Sequence, residues 1–391
     1  MRKYLLHTVF LLSAVLLLAA CRESLPEPEE KPLDHRTILV YMVGDNDLSG
    51  ALWGDLDEML SGSSAIPDSC NVLVYSDGTD LPCIYRLTSA RRLEKWFSYP
   101  KEQNSCDSLV FLQVLKKMVH AFPSEHYALV MASHASGWIP RSNVRRRTFG
   151  IDNNANSGSN VRAEMEIGML RGVLETLPHF DYVFFDACFM QSVEVAYELK
   201  EVTDCVIGSP AEIPGPGAPY HKMMHALCAA DIGQIVNGYH SYYPQGVFSG
   251  VVLSAVCTAA LDELAYQTVP HVVSLFHGRR ENASPFFQDY SPSYHSYTNC
   301  FDMNSVMYNL LSDEEYARWE VCFSKAVPFR PPTASWYSSY NYGTTCRVYD
   351  AEHYGAVSMY LPSETDYSAK WNDSFKQMRW YKAAGWDHTG W

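Results

Sequence analysis

Five short apolar runs punctuate this chain, and between them lie stretches whose apolar residues return every three or four positions. The runs are Ile38–Val43, Asn71–Tyr75, Tyr127–Ala132, Tyr182–Phe185 and Asp204–Gly208. Their length and their freedom from charged side chains between apolar neighbours suit strands covered on both faces. Helices are expected at Asp107–Ala121, with Leu109, Leu112, Leu115 and Met118 on one face, at Met165–Leu177 and at Gln191–Lys200. Strand alternating with helix specifies an α/β fold around a mostly parallel sheet. Ligands of such sheets bind beyond the carboxyl ends of the strands, so the loops after each run are where chemistry is expected.

Two of those loops are chemically loaded. Ser133-His134-Ala135-Ser136-Gly137-Trp138 follows the third run, and Asp186-Ala187-Cys188-Phe189-Met190 follows the fourth. If the two strands are neighbours, His134 and Cys188 rise from one sheet edge. Their separation of 54 residues is close to the roughly 50 between histidine and cysteine in caspases. A thiol attacks a carbonyl as thiolate, and a nearby imidazole can take its proton and then protonate the leaving amine. Cys188 is also expected to open the following helix, whose N–H groups favour a negative sulfur. The plain alternative makes Cys188 a buried strand-end thiol and His134 a loop histidine.

Composition narrows the partners. With 391 residues, 47% hydrophobic and 19% charged, the chain can bury a large core, and a formal net charge of -14 argues against a nucleic-acid binder. At the N-terminus, Arg2 and Lys3 precede an apolar run too short for a spanning helix, and Leu18-Ala19-Ala20-Cys21 follows. This pattern resembles a bacterial lipoprotein signal, which implies removal of residues 1–20, lipidation at Cys21 and anchoring in the bacterial cell envelope, on the periplasmic or surface face of the outer membrane. An uncleaved anchor is the alternative. Residues 22–36, rich in Pro and Glu, read as a tether, so that 21–36 joins lipid to a domain spanning 37–391, itself divided into a 37–230 core and a 231–391 C-terminal part. The ten remaining cysteines are too sparse for a disulfide scaffold and lack zinc spacing, so no metal site is expected.

Several segments, in order, resemble the clostripain family of cysteine peptidases: Ile38 to Leu48, the His134 loop, Phe185 to Met190 with Val193 to Leu199, Pro214-Gly215-Pro216-Gly217-Ala218-Pro219-Tyr220, and Tyr354 to Pro362. The resemblance implies a caspase-like three-layer α/β/α sandwich and a His/Cys dyad, with His134 as general base and Cys188 as nucleophile working through a thioester. It implies that Asp186, two positions before the cysteine, lines a pocket for a basic side chain; a helix N-cap is the other reading of that aspartate. An oxyanion hole would draw on backbone donors such as that of Ala135, where relatives often have glycine. Pro216 stands where some relatives carry a second pocket acid, and Glu212 is the expected substitute. Self-cleavage, known in this region of the family, is expected after Arg147 in Arg145-Arg146-Arg147.

Weaker signals remain. His221 and His225 have the i, i+4 spacing of a zinc pair but lack its acidic neighbour. Asp45, Asn46 and Asp47 offer oxygen ligands without the glycine and distal glutamate of a calcium loop. No cofactor is therefore expected, calcium, used by some clostripain relatives, being the one option kept open. The expected chain is a monomeric endopeptidase acting on protein or peptide substrates after Arg or Lys. Two alternatives are a non-catalytic lipoprotein that binds glycan or protein through its many Tyr and Trp residues, and a cell-wall peptide amidase with the same dyad.

Overall fold

Ten strands build or flank the sheet end of the molecule: β1 (Asp34–Val43), β2 (Cys70–Asp77), β3 (Cys83–Thr88), β4 (Arg92–Ser98), β5 (Ser124–Ala132), β6 (Phe149–Asp152), β7 (Ala163–Met165), β8 (Tyr182–Asp186), β9 (Cys205–Gly208) and β10 (Ser254–Cys257). Eight of them hydrogen-bond in the order β10-β9-β8-β5-β1-β2-β3-β4. The five in the middle run parallel, while β10 lies antiparallel to β9 at one edge and β3 and β4 form an antiparallel hairpin at the other. The computed structural model describes residues 34–139, 149–153, 163–243, 250–273, 289–290, 299–338, 344–348, 350–362 and 369–389. Arg147 and Cys21 lie outside the described residues.

Alternate residues of β1 supply two cores, as the two-residue period of a strand requires. Ile38, Val40 and Met42 pack with α1 (Ser49–Gly62) and with the helices here called α5 (Tyr220–Ala229) and α6 (Ile232–Tyr242), which follow three shorter or intervening helices, α2 (Ser108–Ala121), α3 (Ile167–Leu174) and α4 (Val193–Glu198). Leu39, Tyr41 and Val43 face the other way, onto α2, α3 and α4 and onto the C-terminal helices α7 (Leu261–Thr268), α8 (Met303–Leu310), α9 (Asp313–Ala326), α10 (Ala369–Phe375) and α11 (Arg379–Ala383). The result is the three-layer α/β/α sandwich, and residues 34–389 as described share its cores. Three further strands, β11 (Cys300–Asp302), β12 (Ser335–Ser338) and β13 (Thr344–Arg347), and a last one, β14 (Ser358–Tyr360), form small two-stranded pieces outside the main sheet.

The sequence-based elements are displaced in informative ways. On α2 the buried stripe is Phe111, Val114, Leu115 and Met118, while Leu109 is exposed. A strict spacing of three drifts about 60° around the helix at each step, whereas the 3, 1, 3 spacing stays on one face. The helix after β8 starts at Val193, capped by the Ser192 hydroxyl, so Cys188 sits in a turn well before it and gains nothing from its dipole. Among the described residues no helix is long and apolar enough to cross a membrane.

Candidate active site

Register fixes where the two reactive side chains stand. Ala132 of β5 pairs with Asp186 of β8 on one side and with Met42 of β1 on the other. His134 and Cys188 therefore each lie two residues beyond partners in adjacent parallel strands, whose backbones are spaced about 4.8 Å. Asp47 lies in the loop that leaves β1 at the same edge, and its Oδ1 is 2.9 Å from His134 Nε2. All three line a cleft of about 640 Å³ with Ala135, Asp186 and Glu212, bordered by α1 and by the 212–217 segment.

The loop carrying Cys188 is pinned to the 209–213 segment. Phe189 N–H donates to Ala211 O at 3.0 Å and Gln191 N–H to Ser209 O at 3.0 Å. Ile213 N–H points at Cys188 Sγ at 3.5 Å. Phe189 itself adopts φ of 61°, a left-handed conformation that costs a non-glycine residue about 1 kcal/mol and that the surrounding bonds hold in place. Gly137, φ 68°, brings the histidine loop against this turn: a Cβ there would lie 2.8 Å from Phe189 O. Glycine is required where the two loops touch.

The histidine loop is braced from behind. Trp138 Nε1–H donates to Glu194 Oε2 at 3.3 Å, and Glu194 Oε1 accepts the N–H of Tyr360 in β14 at 2.8 Å. Burial pushes the Glu194 carboxyl up to about 7, and these donors together with the Ser192 hydroxyl oppose the rise. Trp138 also meets the Tyr360 ring edge-on at 5.2 Å.

Asp186 ends β8 and is almost fully buried, and it caps no helix. Its Oδ2 accepts Ala218 N–H at 2.9 Å and the Tyr220 hydroxyl at 2.9 Å, and its Oδ1 accepts the Tyr239 hydroxyl at 3.1 Å. Burial holds its carboxyl above the usual range despite these donors. Glu212 is buried too and accepts the Ser338 hydroxyl. The structure thus brings Cys188, His134, Ala135, Asp186 and Glu212 to one cleft. It adds two residues that sequence reasoning did not place there, Asp47 against the histidine and Asp55 from α1. Asp47 carries no local signal for this contact, which arises only because β1 and β5 are neighbours.

The Asn46 and Asp47 side chains of the loop considered for calcium are engaged within the chain. Asn46 spends its amide on Val43 O and Ile151 O and its Oδ1 on the Leu48 N–H, while Asp47 turns to His134. Likewise His221 meets Glu58 at 2.9 Å and His225 is exposed. Among the described residues the one grouping with metal-ligand chemistry is His35, Glu125 and His126, exposed at the opposite end of the strands.

Comparison with known proteins gives this geometry a class. The chain superposes on a secreted C11 cysteine protease from Bacteroides thetaiotaomicron, in complex with an irreversible peptide inhibitor, with a TM-score of 0.79 and 30% identity over 90% of this chain and 99% of that one. It superposes on an inactive zymogen C11 protease from Parabacteroides distasonis with a TM-score of 0.74 and 28% identity, over 90% and 99% of the two chains. The fold is thus that of the caspase-like cysteine peptidases. The model of the clostripain family, Peptidase_C11, matches residues 40–391, and the chain belongs to that family. Clostripain of Hathewaya histolytica is 26% identical over 49% of this chain, a match that spans 42% of clostripain's own length.

Proposed function

We propose that this chain is a cysteine endopeptidase that cuts peptide bonds after a basic residue, with Cys188 as nucleophile and His134 as general base. The observation that carries the proposal is the register: two parallel strands present imidazole and thiol at equal heights on one edge, over one cleft. His134 takes the thiol proton, Sγ adds to the scissile carbonyl, and the tetrahedral oxyanion turns toward backbone N–H groups such as that of Ala135. Collapse expels the amine, which leaves with the proton returned by His134, and water then hydrolyses the thioester by the same route. Asp47, bound to Nε2, holds the ring so that Nδ1 serves the sulfur. The Ile213 N–H dipole stabilises negative charge on Sγ.

Asp186, buried where it lines the cleft, with Glu212 in the same lining, supports a basic residue before the cut bond. The same preference supports maturation by self-cleavage after Arg147, and one structural relative is described as a zymogen. The lipobox-like segment supports a lipid anchor at Cys21 that tethers the enzyme to the envelope. Replacing Cys188 by Ala is expected to abolish cleavage of fluorogenic Arg and Lys peptides with the melting temperature unchanged. Cleavage by the variant at the wild-type rate would overturn the assignment.

A further inference from the structure

The α1 helix contributes one face to the cleft, through Ala51, Leu52 and Asp55 with the preceding Leu48. Three of these are apolar or small, and the fourth is an acid only 2% exposed. Among the described residues no donor hydrogen-bonds Asp55, and no Lys or Arg lines the cleft, which instead gathers Asp47, Asp55, Asp186 and Glu212. A buried carboxyl with no partner is costly to keep, and a folded chain that keeps one leaves room for a partner that arrives later. We propose that Asp55 is the second carboxylate of the pocket for the residue before the cut bond (P1) and makes that pocket select arginine. This rests on the peptidase reading above and deepens it.

Two geometric facts support the assignment. The first is convergence. A Cβ built on Gly217 would lie 2.8 Å from Asp186 Oδ2 and 3.3 Å from both Asp55 oxygens, so the two carboxyls converge on the bare backbone of Gly217, where no side chain fits. Gly217 also has φ of 69°, which disfavours any other residue there. The second is acceptor arithmetic. Asp186 already accepts three hydrogen bonds of the roughly four its oxygens can take. A guanidinium presents paired N–H groups and needs two acceptors side by side, which Asp55 still offers. Pro216 cannot supply this group, and Asp55 reaches the same space from a different element.

The electrostatics agree. Burial, the negative charge of Asp186 and that of Glu58 push the Asp55 carboxyl up to about 10. The other ionisable groups facing the pair are the hydroxyls of Tyr220 on α5, of Tyr239 on α6 and of Tyr243 just after α6. Before substrate binds, Asp55 therefore keeps its proton at neutral pH, and a guanidinium entering between the carboxyls expels it.

The test uses peptides that differ only at P1, carrying Arg, Lys or the neutral isostere citrulline, against wild type and Asp55→Asn. The variant is expected to lose about 10²-fold in kcat/KM on the Arg peptide, mainly through KM, with less loss on Lys and least on citrulline. An unchanged melting temperature and an unchanged rate of Cys188 alkylation by iodoacetamide report that the variant is folded and its dyad intact. An unchanged Arg-to-citrulline ratio in Asp55→Asn would overturn the role of Asp55 alone. A wild-type chain with no preference for Arg over citrulline would overturn the basic-P1 reading, and this inference with it. Should Asp55→Asn fail to fold, calorimetry on Cys188→Ala in two buffers of different ionisation heat decides. Release of about one proton per bound Arg peptide, and none with citrulline, supports the proposal; no release with either overturns it.

Discussion

The two ends of the same parallel strands treat buried charge in opposite ways. At the amino end, Arg36 Nε donates to Asp181 Oδ2 at 2.8 Å, its guanidinium also reaches Cys228 O, and His126 Nδ1 meets Asp181 Oδ1 at 2.9 Å. The Thr37 and Ser124 hydroxyls bond each other close by. At the carboxyl end, Asp55 and Asp186 face each other with no cation among the lining residues. One end is electrostatically complete when folding ends; the other is completed only by something bound. Both ends belong to one sheet and share its cores, so the contrast reflects what each end is for and not how well the chain folds.

That contrast can be broken at four points. The largest effect belongs to the reactive edge: His134→Ala is expected to lower kcat/KM about 10³-fold, with thermal unfolding unchanged, as peptide hydrolysis and calorimetry would show. Next comes the opposite end, where Arg36→Met leaves Asp181 without its cation. A loss of about 2–3 kcal/mol in urea unfolding is expected, with activity per folded molecule preserved; a variant that lost activity and kept stability would invert the comparison. A smaller effect concerns pH. Asp55 holds its proton to about 10 in the folded chain but releases it near 4 when unfolded. The folded state thus binds the extra proton between those values, and this group's contribution, complete below pH 4, falls as pH rises toward 10. Melting temperature should decline less steeply between pH 5 and 9 in Asp55→Asn than in wild type. Smallest is Asp47→Ala: the side chain is 86% exposed, and an exposed ion pair contributes under about 1 kcal/mol, so a loss of only a few-fold in kcat is expected.

What could be read from the chain beforehand follows the same division. Ile38–Val43 and Tyr127–Ala132 announce themselves as central strands because both faces are buried, and residues at strand ends inherit their place from that pattern. The edge strands escape notice for the converse reason. Arg92–Ser98 is mostly exposed, and its Arg-Leu-Glu-Lys-Trp run lacks a continuous apolar face. Ser254–Cys257 is four residues long. At the site, Cys188, His134 and Asp186 lie in loops that the strand rule singles out, and their gathering in one cleft follows from adjacency. Asp55 sits inside a helix among Leu52, Leu56 and Met59, where an acid in an amphipathic stretch looks like part of a solvated face. Only packing α1 against α5 reveals that it points inward. The supposed helix dipole at Cys188 failed because a helix start is set by its cap, here Ser192, and not by where the strand ends.

The brace behind the histidine loop carries a consequence for any attempt to trim the molecule. Glu194 receives its backbone donor from Tyr360, 166 positions downstream, and Trp138 leans on the same residue. A fragment stopping after β10 would hold both reactive side chains and still lack the wall they are set against, so the smallest working version of this enzyme is nearly as long as the folded chain itself.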